Sequence, residues 1–435
     1  MAWRKPWLQN LLLISGSILF GLAFLEIALR LLGISYPSFY TADAQLGHAL
    51  RPGATGWWRK EGEAFIRINQ DGLRDRHYAK VKPNNTLRIA ILGDSYAEAL
   101  QVPAEQAFWS IVEQQLGKCK TLQGQDVDVI NFGVSGYGTA QELLMLRHRV
   151  WDYNPDLILL TFLAGNDIRN NSRALEQDEM RPYFVRSDDG RLVLDNSFQT
   201  SKNYLRRQSW HWQLAYQLIN YSHILQLLNE AKNVRQTRLA QERQAAKNTQ
   251  SSPSQTTDAE TKTQASSSEP LTATAPDPTP GLDSGIYRPP TTPEWQEAWQ
   301  VTEALLRQMN QEIISRGADF FVVTLTNGSE VVPDPDARAS LKQTFGVNHL
   351  FYADRRIAAL GKQAGFPVLN LAKPFQVYAD KHRTCLHGFE NASACSGHWN
   401  VEGHRLAGEI ISEQLCQAVA ARKKLPDVLH QEREG

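Results

Sequence analysis

Residues 88–100, "RIAILGDSYAEAL", begin as an apolar run of the kind that is buried in a sheet, break on Gly93-Asp94-Ser95, and pass at once into helix-forming residues. A strand that turns directly into a helix leaves the first helical side chain at the sheet edge, where the helix dipole favours negative charge. The same pattern recurs along the chain. "DVDVINFG" (126–133), "PDLILLTFLAG" (155–165), "ADFFVVTLT" (318–326) and "FPVLNLA" (366–372) read as strands, and the last three are apolar nearly throughout. Between them, "VPAEQAFWSIVEQQLG" (102–117), "GTAQELLMLRHRVWDY" (138–153), "PEWQEAWQVTEALLRQMNQEIISRG" (293–317) and "DRRIAALGKQAG" (354–365) have helical periodicity. Strands buried on both faces and alternating with helices predict an α/β fold, a doubly wound, mostly parallel sheet flanked by helices.

The N-terminus does not follow this pattern. Arg4 and Lys5 precede an uncharged stretch from Pro6 to Leu25, which at about 1.5 Å per residue nearly matches the hydrocarbon core of a bilayer. The positive flank predicts a single-pass anchor in the cytoplasmic membrane with its tip in the cytoplasm and the rest of the chain on the periplasmic or extracellular side. Glu26 and Arg30, at i and i+4, are placed to pair at the far interface. A buried core helix and a cleaved signal peptide are the alternatives; no small-x-small cleavage pattern follows the apolar run, which favours the anchor.

Lys plus Arg and Asp plus Glu balance at 46 each, which excludes a strongly basic nucleic-acid-binding surface for the chain as a whole. No Cys/His ligand spacing and no phosphate-binding glycine loop is present, so neither metal nor organic cofactor is expected. On an exported body Cys385 and Cys395, within "TCLHGFENASAC" (384–395), are expected to pair; Cys119 and Cys416 are a second bridge or two buried thiols.

These readings divide the chain into a tip and anchor (1–36), a first part of the α/β domain (37–247), an insertion (248–284), a second part (285–425) and a tail (426–435). The 37–247 segment includes "FIRINQDGLRD" (65–75), read as a strand and Asp-Gly turn, and a helical stretch from Tyr204 to Lys247 whose basic second half is expected to face solvent. The insertion is rich in Ser, Thr and Pro, residues 248–281 of it have Leu271 as their one large apolar residue, and it is expected to be disordered.

Four segments fall at strand ends or just before the last helix: Gly93-Asp94-Ser95-Tyr96, "NFGVSGYGT" (131–139), "GND" (165–167) and "SGHWNVEGH" (396–404). In open parallel sheets ligands bind beyond the carboxyl ends of the strands, so segments far apart in sequence can meet there. Ser95 suits a nucleophile, and His398 suits the base that a serine hydroxyl needs at neutral pH. Taken singly, Ser95 also fits a helix N-cap and "GVSGYG" a tight turn. Asp94 reads as an orienting or turn residue, and Asn166 also fits a turn in which Asp167 is the more visible polar group. His404, inside the last helix, reads as structural.

With Ser95, Gly136, Asn166 and His398 in this order, residues 85–425, less the insertion, resemble the SGNH hydrolases, the GDSL-type esterases and lipases. The resemblance implies a flavodoxin-like SGNH hydrolase fold, Ser95 and His398 as catalytic pair, and an oxyanion hole made by the Ser95 and Gly136 N–H groups with the Asn166 amide. A glycine at 136 also lets the backbone approach a ligand closely. The expected reaction is hydrolysis of an ester on a small molecule, glycan or lipid, through an acyl-serine. The His-Trp pair at 398 and 399 also resembles exported polysaccharide O-acetyltransferases of the same superfamily. One departure stands out: the family's Asp, two or three residues before the histidine, is replaced by Ser396 and Cys395. Ser396 is the residue that stands in the acid's place; a backbone carbonyl, Glu390 or Glu402 are the other candidates to orient His398. The gap also leaves open a membrane-tethered binding or assembly factor that keeps the fold without turnover.

Overall fold

The computed structural model describes residues 6–187, 189–250 and 285–431. Two short antiparallel hairpins come before the core: β1 (Tyr40–Asp43) with β2 (Gly47–Leu50), and β3 (Thr55–Trp58) with β4 (Ala64–Arg67). The core strands are β5 (Thr86–Gly93), β6 (Asp126–Asn131), β7 (Leu157–Phe162), β10 (Asp319–Thr324) and β11 (Val368–Asn370), with a third hairpin, β8 (Tyr183–Arg186) and β9 (Leu192–Asp195), between them. The five core strands are parallel and run in the order β11-β10-β7-β5-β6.

The apolar runs divide between the two faces of this sheet by the two-residue period of a strand. Ala90, Leu92, Ile130, Phe132, Ile158, Leu160 and Phe162 pack into one buried cluster, and Ile89, Ile91, Val129, Leu157 and Leu159 into the other. Helices cover both faces, as the α/β reading predicts. β6 and β7 lie on opposite sides of β5, so the chain reverses its direction of travel across the sheet there and opens a crevice at the strand ends.

Several expected elements are shorter than their patterns. Residues 102–117 split into a single 3₁₀ turn at Ala104–Gln106 and a helix at Phe108–Leu116, with Ala107 extended between them. The break has a tertiary cause: Phe108 N–H donates to His404 Nδ1 at 3.3 Å, so a histidine of the C-terminal helix caps this helix where no local side chain does. The expected strand at 366–372 narrows to the three residues of β11. The expected helical stretch from Tyr204 consists of three helices, Lys202–Gln208, Trp210–Tyr221 and His223–Gln250. The sequence reading did not anticipate the β1–β2 and β8–β9 hairpins.

The described residues fall into two compact units. Within the described residues, one unit draws on 6–37 and 214–250. Its N-terminal helix, Pro6–Leu31, is long and apolar enough to cross a membrane. Arg30 pairs with Glu26 at 2.8 Å, and the Glu26 carboxylate also accepts from Ser222 Oγ and from the His223 and Ile224 N–H groups, closing the N-terminus of the helix His223–Gln250. The other unit, drawn within the described residues from 38–213 and 285–431, holds the parallel sheet. In it Cys119 is bridged to Cys416 and Cys385 to Cys395. Of the expected insertion, residues 251–284 lie outside the described residues, as do 432–435 of the expected tail; the last helix, Val401–Gln431, runs through the expected boundary at 425.

Candidate active site

Ser95 opens a four-residue helix, Ser95–Glu98, directly after β5. Asp94 is its N-cap: Oδ1 accepts from Tyr96 N–H at 2.9 Å, and Oδ2 accepts from Asn166 Nδ2 at 2.6 Å. Burial pushes the Asp94 carboxyl up, against the hydrogen bonds and the field of His398 that favour its charge. By occupying one hydrogen of the Asn166 amide, Asp94 sets which way that amide faces and leaves its second hydrogen for another acceptor. Asn166 itself lies in the helix Ala164–Asn170 that follows β7. The adjacent Asp167 turns inward, accepting from Leu163 N–H and Thr139 Oγ1, and burial together with the nearby Asp94 charge raises its carboxyl well above the ordinary range.

Gly136 lies in the turn between β6 and the helix Thr139–His148, with φ +78, a left-handed backbone that glycine adopts without strain. Neither the Ser95 nor the Gly136 N–H is used by another protein group among the described residues.

His398 Nε2 is 2.8 Å from Ser95 Oγ, across 303 positions of sequence. On the other side of the ring, Nδ1 is 2.5 Å from Glu61 Oε2, and Glu61 Oε1 accepts from the His398 backbone N–H at 2.7 Å. Burial raises the Glu61 carboxyl, but hydrogen bonds from the His398 ring and backbone, with the field of that ring, outweigh it and hold Glu61 below its ordinary range. Glu61 sits in the β3–β4 turn. Trp58 Nε1 donates to its carbonyl, and Asn391 clasps the next residue, accepting from Gly62 N–H and donating to Gly62 O, both at 2.9 Å. Asn391 belongs to the segment closed by Cys385–Cys395, so that bridge and the Glu61 turn are built against each other.

Glu61 corrects the expectation about what orients His398. Ser396 makes no hydrogen bond with the ring among the described residues; its backbone packs against Gly328. Glu402 is taken by Arg405 and Tyr378, and Glu390 is exposed and unconnected to the site. The acid comes from a hairpin outside the α/β repeat, where no family motif and no periodicity would place it. One local signal exists, the Glu61-Gly62 turn between two short strands. A second is Gly397 beside the histidine: a Cβ there would lie 2.2 Å from Glu61 Oε1, and φ is +79.

Aromatic rings support the histidine loop. Tyr96 lies 5.0 Å from the His398 ring and donates through its hydroxyl to Gly397 O at 2.9 Å. Buried His387 reaches the same carbonyl through Nδ1 and Thr326 Oγ1 through Nε2. His404 is buried, stacked on Phe108 with centroids 6.1 Å apart, and takes no part in the Ser95–His398 contact.

The loops after β5, β6 and β7 thus carry Ser95, Gly136 and Asn166 at one edge of a five-stranded parallel sheet, and the loop before the last helix brings His398 to Ser95. This is the arrangement that the resemblance to the SGNH hydrolases led us to expect.

Comparison with known proteins gives one curated relative and several solved structures that are similar to the chain. An arylesterase of Vibrio mimicus is 28% identical over 123 residues, which is 28% of this chain and 60% of that protein. The matched segment therefore spans less than two thirds of that relative. No family model matches the chain. Among solved structures, an acetyl xylan esterase aligns with a TM-score of 0.34 at 10% identity, covering 75% of this chain and 99% of the other. The lipase/acylhydrolase of Enterococcus faecalis aligns with a TM-score of 0.34 at 14% identity, covering 76% and 96%. A GDSL-like lipase of Bacteroides thetaiotaomicron gives 0.31 at 11%, covering 79% and 93%.

Proposed function

We propose that this chain is a serine esterase that hydrolyses a carboxylic ester through an acyl-Ser95 intermediate. The observation that carries the reading is the unbroken relay from Ser95 Oγ to His398 Nε2 and from His398 Nδ1 to Glu61. Ser95 Oγ attacks the ester carbonyl while its proton passes to Nε2. The Glu61 carboxylate holds the proton on Nδ1, so that Nε2 is the free base, and stabilises the imidazolium that forms. The oxyanion is met by the Ser95 and Gly136 N–H groups and by the second Asn166 amide hydrogen, donors each worth about 100- to 1000-fold in rate. Collapse expels the alcohol, which takes the proton from Nε2; water then repeats the sequence on the acyl-serine and releases the acid.

The arylesterase match supports the reaction class. Two disulfides support an oxidising compartment, and the helix Pro6–Leu31, flanked by Arg4 and Lys5, supports anchoring in the cytoplasmic membrane with the sheet-bearing unit outside. The substrate proposed is therefore an ester on a glycan or lipid at the outer face of that membrane. The binding-factor alternative rested on a missing acid; the contact of Glu61 with His398 supports the esterase reading instead. The His-Trp pair gives no separate support to an O-acetyltransferase, since Trp399 is fully buried and donates to Thr326 Oγ1 at 2.8 Å as part of the core.

The test is labelling of the full-length protein in detergent by a fluorophosphonate probe, beside Ser95→Ala and His398→Ala. Labelling that requires both residues is the expected result. A folded wild type that takes no label would remove the esterase reading.

A further inference from the structure

The turn that bears Gly136 has two possible states, and the structure holds it in one of them. Val134–Tyr137 is a type II turn, closed by Tyr137 N–H to Val134 O at 3.2 Å with Gly136 at φ +78 in its third position. Types I and II differ mainly by a flip of the central peptide, here the one joining Ser135 to Gly136. In a planar trans peptide the carbonyl and the N–H point in opposite directions. With the Ser135 carbonyl facing His48, the Gly136 N–H faces the opposite way, and a flip would exchange that donor for an acceptor.

We propose that His48, on the β1–β2 hairpin outside the α/β core, is a positioning residue that selects the donor orientation by holding the Ser135 carbonyl. The inference rests on the esterase reading above. His48 Nε2 lies 2.9 Å from Ser135 O, and because a carbonyl only accepts, Nε2 carries the hydrogen. The ring is fixed edge-on between Tyr40 and Tyr137, with centroids 5.9 and 5.1 Å away, and Tyr137 Oη donates to the His48 carbonyl at 2.6 Å. The peptides on either side are held as well. Ser135 N–H donates to Glu98 Oε2 at 2.5 Å, a carboxylate that also accepts from Tyr40 Oη. Gly136 O accepts from Arg181 Nη2 at 2.6 Å and from Asn170 Nδ2 at 3.2 Å. Three successive peptide groups are thus pinned by side chains, beyond the backbone bonds of Val134 N–H to Gly93 O and Tyr137 N–H to Val134 O. The central one, which decides the flip, is pinned by His48.

The experiment measures hydrolysis of 4-nitrophenyl acetate by the full-length chain in detergent, for wild type, Ser95→Ala, His48→Phe and His48→Gln. Phe keeps the ring and removes the donor; Gln restores an amide N–H at similar reach. The expected result is a fall in kcat of about 10- to 100-fold in His48→Phe with KM little changed, and recovery of most of the loss in His48→Gln. Inhibition by a trifluoromethyl ketone, whose adduct oxygen occupies the oxyanion position, should weaken in parallel with kcat. Unchanged kcat in a folded His48→Phe, a loss confined to KM, or no recovery with Gln overturns the role of His48 while leaving the esterase reading in place. A wild type no faster than Ser95→Ala overturns the esterase reading, and this inference with it. Should His48→Phe fail to fold, His48→Gln is compared with His48→Asn, whose amide is too short to reach Ser135 O; equal kcat in those two overturns the proposal.

Discussion

Glu61 and His398, 337 positions apart in the chain, meet twice: the carboxylate accepts from the histidine's backbone N–H at 2.7 Å and lies 2.5 Å from Nδ1 of its ring. The double contact fixes both the place of the loop and the tautomer of the imidazole. Replacing Glu61 by Gln keeps the shape but allows an amide N–H to face Nδ1, which favours the wrong tautomer. kcat for 4-nitrophenyl acetate should fall by about 10⁴-fold with KM little affected. A loss under tenfold would assign the orientation of His398 to some other group.

The same carboxylate sets a pH dependence of stability. Its folded value lies below the ordinary 4.5, so its contribution is present above that pH and is lost as pH falls through the folded value. The difference in urea midpoint between wild type and Glu61→Gln should therefore shrink as pH is lowered from about 6 to about 3. A difference that stays constant would mean that Glu61 titrates alike in both states.

Gly397→Ala places a Cβ 2.2 Å from Glu61 Oε1 on a backbone at φ +79. The carboxylate is the group that must yield, because Tyr96 and His387 hold the Gly397 carbonyl from the other side. Activity should fall by about 100-fold or more, with a stability loss of about 1–3 kcal/mol from overpacking and backbone strain. Near-wild-type kcat would show that Glu61 can leave its position without consequence.

Asn391→Ala removes the clasp on Gly62 and should lower kcat by about tenfold through a looser Glu61, an effect smaller than removing Glu61 itself. Reduction of Cys385–Cys395 should act in the same direction, and in Asn391→Ala it should add little, because both changes release the same segment. Full additivity of the two effects in a kcat comparison would separate the bridge from the Glu61 turn.

Burial holds the His387 imidazole at about 4 and the His404 imidazole at about 3, below their ordinary 6.5. Unfolded histidines take up protons below about 6.5, whereas these two do so only well below it. Stability is therefore full above about 6.5 and falls as pH drops toward those lower values. Between pH about 7.5 and about 5, the urea midpoint of wild type should fall more than that of His404→Phe, which keeps the stacking on Phe108. Equal slopes would remove His404 from the acid response.

The strand–turn–helix pattern around Ser95, the glycine-rich turn after β6, the Asn after β7 and the histidine before the last helix were all legible in the sequence, as was the parallel sheet. Each is a local signal: burial on two faces produces continuous apolar runs, and a strand end is marked by the residues that turn there. The sequence by itself also marked the apolar N-terminal helix and the one position where the SGNH hydrolases it resembles carry an acid that this chain lacks. Only the tertiary structure decided what fills that gap and what holds the turn at Gly136. The physical reason is that a histidine is oriented by any oxygen within hydrogen-bonding reach of Nδ1, and a carbonyl by any donor within reach of its oxygen. Glu61 and His48 meet those conditions from hairpins outside the repeating pattern, and nothing in the residues flanking either of them records which loop they will face.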